Sequence, residues 1–263
     1  MNFIFISPNF PEHYWRFCKE LKDNGVNVLG IGDSSYEELS DDLKASLNEY
    51  YRVSSLENYD EVYRGVAFLT FKHGRIDWIE SNNEYWLERD AMLRTDFNLH
   101  TGFRNEDMHE VKFKSAMKEY YQKAGIPTAR YHMIDDIEHT REFIAQVGYP
   151  VIVKPDNGVG ANATYKLKND ADLERFFREL PPVQYIMESY YYIVKRLEDD
   201  VRDAGRRTVK SFEVKSRFVH LEFFRLLRDH EGIGKAGDIA ALEVNMRPCG
   251  GFTPDMLNFA NST

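Results

Sequence analysis

Residues 151–167 read VIVKPDNGVGANATYKL: a β-branched run closed by Lys154 and Pro155, a loop of Gly, Asn and Ala, and a second short β-like run. A lysine at the mouth of such a hairpin, beside backbone N–H groups left open by small residues, has the chemistry of a polyphosphate cradle. Gly158 and Gly160 would equally serve a plain hairpin turn. That simpler reading accounts for the glycines and leaves Lys154 unexplained. In LEVNMRPCGG (242–251), Leu242, Val244 and Met246 alternate with Glu243, Asn245 and Arg247, so a strand here carries all three polar side chains on one face. A carboxylate and an amide oxygen two residues apart are hard-oxygen ligands suited to Mg²⁺. An adjacent guanidinium suits a phosphate or acyl-phosphate. HLEFFR (220–225) adds Glu222 within an apolar strand. The alternative is an amphipathic edge strand with a polar outer face. Against it, the polar set is one carboxylate, one amide and one guanidinium, followed by Gly250-Gly251. Lys114 lies in KFKSAMKEYYQK (112–123), whose four lysines read as a solvated helix face and by themselves assign no chemistry.

These residues need elements to hold them. In the first hundred residues, short apolar runs (NFIFIS, VNVLGIG, IDWIES) alternate with helical spacings. One helix starts at Pro11 with Tyr14, Phe17, Cys18 and Leu21 on one face, and others lie near Glu37–Leu47 and Asp60–Phe71. Alternating strands and helices imply right-handed crossovers and a mostly parallel sheet, hence a Rossmann-like α/β unit over residues 1–105. The first turn, SPNFPEHYW, lacks Gly-x-Gly-x-x-Gly, so this unit carries no dinucleotide signature. From 106 onward the pattern changes. MHEVKFKSAMKEYYQKAG reads as one helix stopped at Gly125, DIEHTREFIAQVG and DADLERFFREL as two more, and VIVK, ATYKL and VQYIMES as strands. A polar helix around Val194–Val209 precedes the strands of RFVHLEFFRLL and DIAALEVNMRP, which flank a charged turn. The fold class is therefore α/β followed by α+β.

The chain has 263 residues and a formal net charge of −9, which argues against bulk binding to nucleic acid or an anionic membrane. Two cysteines, Cys18 and Cys249, make no disulfide framework and suit a reducing compartment, so a cytoplasmic location is expected. No apolar run approaches membrane-spanning length.

The ordered set KSAMKEYYQKAGIPTARY, VIVKPDNGVGANATYKL, VQYIMES, FVHLEFFR and LEVNMRPCGG, from about Lys112 to Gly251, resembles the ATP-grasp superfamily, in particular its carboxylate–amine (or thiol) ligases. The resemblance implies a pre-ATP-grasp domain (1–105), an N-terminal lobe (106–188) and a C-terminal lobe (189–263), with ATP between the lobes. It implies that Lys114 and Lys154 contact the ATP phosphates and that Gly158–Ala163, including Gly160 and Ala161, closes over them. Met187, Glu188 and Ser189 would form the adenine hinge. Glu222, Glu243 and Asn245 would hold one or two Mg²⁺ ions (or Mn²⁺), and Arg247 would steady the transferring group. The implied reaction is ATP-dependent activation of a small-molecule carboxylate for attack by a nucleophile, in an enzyme expected as a homodimer. A phosphotransferase and a non-catalytic nucleotide binder are the alternatives. The sequence departs from the family after Ser189, where SYYYIVKRLEDD runs almost directly into a helix in place of further strands. Either the central sheet is reduced or residues between 189 and 192 are omitted. The acceptor pocket and ribose ligand stay unassigned.

Overall fold

The computed structural model describes residues 1–158, 163–180, 182–190, 199–214 and 217–249. They divide into two compact units. One runs from Met1 to Met108 and takes in Arg217; the other holds residues 109–214 and those from 218 onward.

The first unit is built on a parallel sheet of β1 (Asn2–Ile6), β2 (Asn27–Gly32), β3 (Glu49–Arg52) and β4 (Trp78–Glu80), in the order β3-β2-β1-β4. The helices are α1 (Trp15–Asp23), α2 (Asp41–Ser46), α3 (Tyr59–His73) and α4 (Leu87–Asp96). Side-chain alternation along β1 explains the layering. Ile4 and Ile6 enter a core with Val62, Val66 and Leu69 of α3 and Leu93 of α4. Phe3 and Phe5 enter the opposite core with Cys18 of α1 and Leu43 of α2. Both faces are covered, as the crossover pattern requires.

Two local expectations change. The helix expected over Glu37–Leu47 is a short 3₁₀ turn at Tyr36–Glu38 followed by α2, because Leu39 is extended and Ser40 N-caps the second piece through Leu43 N. The helix expected from Pro11 begins as a 3₁₀ turn and becomes α-helical at Trp15. Strand β3 and helix α4 were not foreseen. At the end of β4, Glu80 is buried between two guanidiniums, Arg94 Nη2 at 2.9 Å and Arg217 Nη2 at 3.2 Å. Arg94 also donates to Ile79 O and Phe103 O.

The second unit opens with α5 (Met108–Lys112) and α6 (Lys114–Lys123), continues with β5 (Tyr131–Met133), α7 (Ile137–Val147), β6 (Val151–Pro155), β7 (Tyr165–Leu167), α8 (Asp170–Arg178), β8 (Tyr185–Ser189) and α9 (Asp199–Ser211), and closes with β9 (His220–Arg225) and β10 (Ile239–Asn245). One antiparallel sheet has the order β5-β8-β6-β7. Val151, Val153, Leu167, Tyr185 and Met187 bury one face against Phe143 and Ile144 of α7 and Leu173 and Phe176 of α8. By the period of two, Ile152, Lys154, Ile186 and Glu188 occupy the other face. The second sheet is the antiparallel pair β9–β10. α9 braces α6, with Arg207 Nη1 donating to Ala124 O and Gly125 O and Ser211 Oγ donating to Tyr120 O. The polar helix expected over Val194–Val209 runs to Ser211, and its expected first residues lie outside the described residues.

The single helix expected over 108–124 is two, broken at Phe113. Phe113 is extended and bridges to Asn157, while Lys114 N donates to Asp156 O. Tertiary pairing overrides helix propensity at that residue.

Candidate functional site

The break at Phe113 creates a fresh helix N-terminus at Lys114, and the end of β6 caps it. Asp156, itself buried, accepts from Ser115 N at 2.8 Å and from Ser115 Oγ at 2.7 Å. This is a cap supplied from 41 residues away, and it locks α6 to the strand that carries Lys154. Lys114 Nζ then donates to Gly158 O at 3.1 Å, at the start of the glycine loop. Of the loop, Gly160 and Ala161 lie outside the described residues.

One turn along α6, Lys118 points into the same unit. Its ammonium lies 2.6 Å from Glu188 Oε1, and Lys154 Nζ lies 2.7 Å from Glu188 Oε2. All three side chains are at least nine-tenths buried. Burial pushes the Glu188 carboxyl up, but Lys118 and Lys154 outweigh it and hold the group down at about 2. Lys114, Lys118 and Tyr121 fall at i, i+4 and i+7, one face of the helix, and all are buried. The helix expected to show a solvated lysine face therefore turns two of its lysines inward. That spacing was the available signal for Lys118, which sequence reasoning missed.

The hinge residues divide. Met187 is fully buried with its side chain in the helix-covered core. Because β8 lies between β5 and β6, the strand's backbone is taken up by the sheet, and Ser189 N donates to Arg130 O at 3.0 Å. Glu188 is the charged side chain that this strand presents on the face turned away from α7 and α8.

On the second sheet, a β-bulge sets the geometry. Ala241 pairs with Phe223, yet Glu243 pairs with Glu222, so Leu242 is the extra residue. In a regular ladder Leu242 would face Glu222 and Glu243 would face Leu221; with the bulge the two carboxylates stand directly opposite. Asn245 pairs with His220, and His220 Nε2 lies 3.8 Å from Glu222 Oε1. Tyr121 of α6 packs edge-on to Phe223 at 6.5 Å between ring centroids, and its buried hydroxyl has no hydrogen-bond partner among the described residues. Burial, then the charges of Glu243 and Glu222, push the phenol up. Opposed carboxylates, an amide and an orphaned buried hydroxyl fit a divalent cation with hard-oxygen preference. Arg247, just beyond the strand, is half-buried and donates to Pro248 O at 2.9 Å. Cys249 is a free thiol.

Residues 110–181 match the family described as "Carbamoyl-phosphate synthase L chain, ATP binding domain". The chain is 31% identical over 100 residues to the carbamoyl phosphate synthase large chain of Methanothermobacter thermautotrophicus, covering 38% of this chain and 9% of that protein. It is 26% identical over 166 residues to the L-arginine-specific L-amino acid ligase of Bacillus subtilis, covering 63% and 39%. Among solved structures it is similar to the biotin carboxylase domain dimer of Hydrogenobacter thermophilus 2-oxoglutarate carboxylase, solved with MgADP, ADP and bicarbonate. The TM-score is 0.70 at 17% identity, covering 95% of this chain and 64% of that one. The chain thus spans less than two thirds of each. No described helix is long and apolar enough to cross a membrane. The fold is similar to that of the biotin carboxylase domain, and residues 110–181 match the ATP-binding domain of the carbamoyl-phosphate synthase L chain.

Proposed function

We propose that this chain is an ATP-dependent ligase that activates a carboxylate as an acyl-phosphate and passes the acyl group to an amine or other nucleophile. The observation that carries the reading is the inward cationic face: Lys118 and Lys154 share the single carboxylate of Glu188, and Lys114 reaches the first carbonyl of the glycine loop. Two buried ammoniums against one carboxylate leave a positive excess that a phosphate chain would neutralise. Lys114 and Lys154 bind the phosphates, the Gly158–Ala163 loop covers them, and the Glu188 side chain meets the base. Met187, Glu188 and Ser189 form the adenine hinge on this reading.

In the first step a carboxylate oxygen attacks the γ-phosphorus, the bond to the β–γ bridging oxygen breaks, and ADP departs. In the second the nucleophile attacks the acyl carbon, phosphate leaves, and the nucleophile's proton passes to solvent. Mg²⁺ held by Glu222, Glu243 and Asn245 would supply charge neutralisation at the phosphates. Arg247 presents a planar fork to the transferring group once it turns from Pro248 O. Catalysis on this reading is positioning and electrostatics, with no side-chain nucleophile.

The Bacillus subtilis relative makes amino acids the first carboxylates to try. The Rossmann-like pre-ATP-grasp domain (1–105), the lobe division at 188/189, a homodimer and a cytoplasmic location belong to the same proposal. The test is ADP release from ATP and Mg²⁺ with paired amino acid, carboxylate and amine libraries, products identified by mass. Ligated product with ADP and phosphate is expected. A stable phosphorylated product would assign a phosphotransferase, and ATP binding without turnover on any pair would assign a binding protein.

A further inference from the structure

We propose that Lys118 is a positioning residue that fixes the nucleobase preference of the site through Glu188. The inference deepens the nucleotide-site reading above and rests on it. Lys118 sits one turn after Lys114 on α6, 6% exposed, with its ammonium 2.6 Å from Glu188 Oε1 and 5.3 Å from the centroid of the Tyr131 ring. Tyr131 pairs with Glu188 across β5 and β8, so the ring and the carboxylate share one face of the sheet.

Lys154 has two claims on it. It holds Glu188 Oε2 at 2.7 Å, and a bound phosphate chain would draw on the same ammonium. Lys118 holds the other oxygen from a different element. It therefore keeps Glu188 ionised and in place when the Lys154 donors are shared. The ionisation state matters because a carboxylate only accepts hydrogen bonds, while a carboxylic acid also donates. An ionised Glu188 favours a base edge bearing an amino group and opposes one bearing an oxo group. Without Lys118, the buried carboxylate keeps one counter-ion that is itself divided. It then gains a proton or moves, and in either case it no longer rejects an oxo edge.

ADP and IDP differ at one place, amino against oxo, and are the probes. Calorimetric titration of the parent should give at least tenfold tighter binding of ADP. Lys118→Gln keeps a neutral donor of similar reach and should reduce that ratio to near unity, mainly by weakening ADP. Lys118→Met, which keeps the apolar stem alone, should do the same, and either variant suffices if the other does not fold. Lys118→Arg keeps the charge and should restore the preference. A parent-like ADP/IDP ratio in Lys118→Gln or Lys118→Met overturns the proposal. Failure of the parent to bind either nucleotide is a distinct result, which overturns the nucleotide site itself.

Discussion

Each unit of this molecule buries one glutamate between two cations, and the two clamps are built differently. In the first unit Glu80 lies between Arg94 and Arg217. The guanidinium of Arg94 spends its other donors on Ile79 O and Phe103 O, and Asp90 lies 3.9 Å away. Chain packs closely around it: a Cβ added at Gly102 would come within 2.8 Å of Arg94 Nε. In the second unit Glu188 lies buried between two lysines on one face of a sheet, with a third lysine at the glycine loop. A forked guanidinium that saturates nearby carbonyls closes a structure, whereas compact ammoniums in excess of carboxylate await an anion. The first clamp is built as a structural one, and on the proposed function the second is the nucleotide site.

The largest expected effect breaks the structural clamp. Arg94→Met leaves Glu80 with one counter-ion and strands two buried carbonyls, so unfolding free energy should fall by about 3–5 kcal/mol. Nucleotide affinity of the protein that remains folded should not change. Denaturant titration and ADP calorimetry measure the two separately. Weakened ADP binding with intact stability would show that the contrast between the clamps is misdrawn.

Asp90 supplies a pH signature for the same clamp. Burial, then the negative charge of Glu80, push its carboxyl up to about 7, against the pull of Arg94. A raised carboxyl pKa contributes stability that is present below the unfolded value near 4 and is lost as pH rises through about 7. Between about pH 4 and 7 the parent should lose stability with a slope of at most about 1.4 kcal/mol per pH unit from this group. Asp90→Asn, which can still accept from Ser81, should flatten that slope. An unchanged profile in the variant would place the titration elsewhere.

The same two clamps explain what the sequence made legible. Strands β1, β2 and β6 were readable as short apolar runs, and the end of β10 by its alternation of apolar and polar residues. Helix α4 was not, because Asp90 and Arg94 are fully buried, so its inward face does not look apolar. Helix α6 was read as solvated for the matching reason: Lys114 and Lys118 point inward. β3 was missed because it is a half-buried edge strand, EYYR, without clean alternation. At the site, the residue types of Lys154, Glu222, Glu243 and Asn245 could be read from strand period alone. The bulge at Leu242 and the remote Asp156 cap could not, since both depend on pairing with distant chain.

Breaking the second clamp should separate binding from folding. Lys154→Ala removes a phosphate contact and should weaken ATP by about 10- to 100-fold, the range of one to two charge-assisted hydrogen bonds. It should cost less stability than Arg94→Met, because Lys118 still pairs Glu188. Thermal shifts with and without ATP and Mg²⁺ report both numbers. Equal ATP-induced shifts in variant and parent would remove Lys154 from the site.

Glu243→Gln keeps shape and removes one of the two opposed carboxylates. Relief of like charges across the strands should raise metal-free stability by about 0.2–1 kcal/mol. The Mg²⁺ concentration for half-maximal stabilisation by ADP should rise at least tenfold, roughly the scale of losing a support to a metal site. ADP affinity without metal should hold. A parent-like Mg²⁺ dependence would dismiss Glu243 as a ligand.

The smallest effect is the most discriminating between an empty core and a metal site. Tyr121 carries a buried hydroxyl with no hydrogen-bond partner among the described residues, in the field of Glu222 and Glu243. If the hydroxyl served only packing, Tyr121→Phe would relieve an unsatisfied polar group and raise stability by up to about 1 kcal/mol, equally with and without Mg²⁺. If it orders the oxygen ligands or a metal-bound water, the gain should appear only in the metal-free protein and vanish or reverse when Mg²⁺ and ADP are present. The measurement is a pair of melts for parent and variant, each with EDTA and with Mg²⁺-ADP. The expected result is a positive difference in EDTA and a smaller or negative one with Mg²⁺-ADP. The same positive difference in both would place Tyr121 in the core and outside the site, and would withdraw one of the two structural reasons for seating a cation between Glu222 and Glu243.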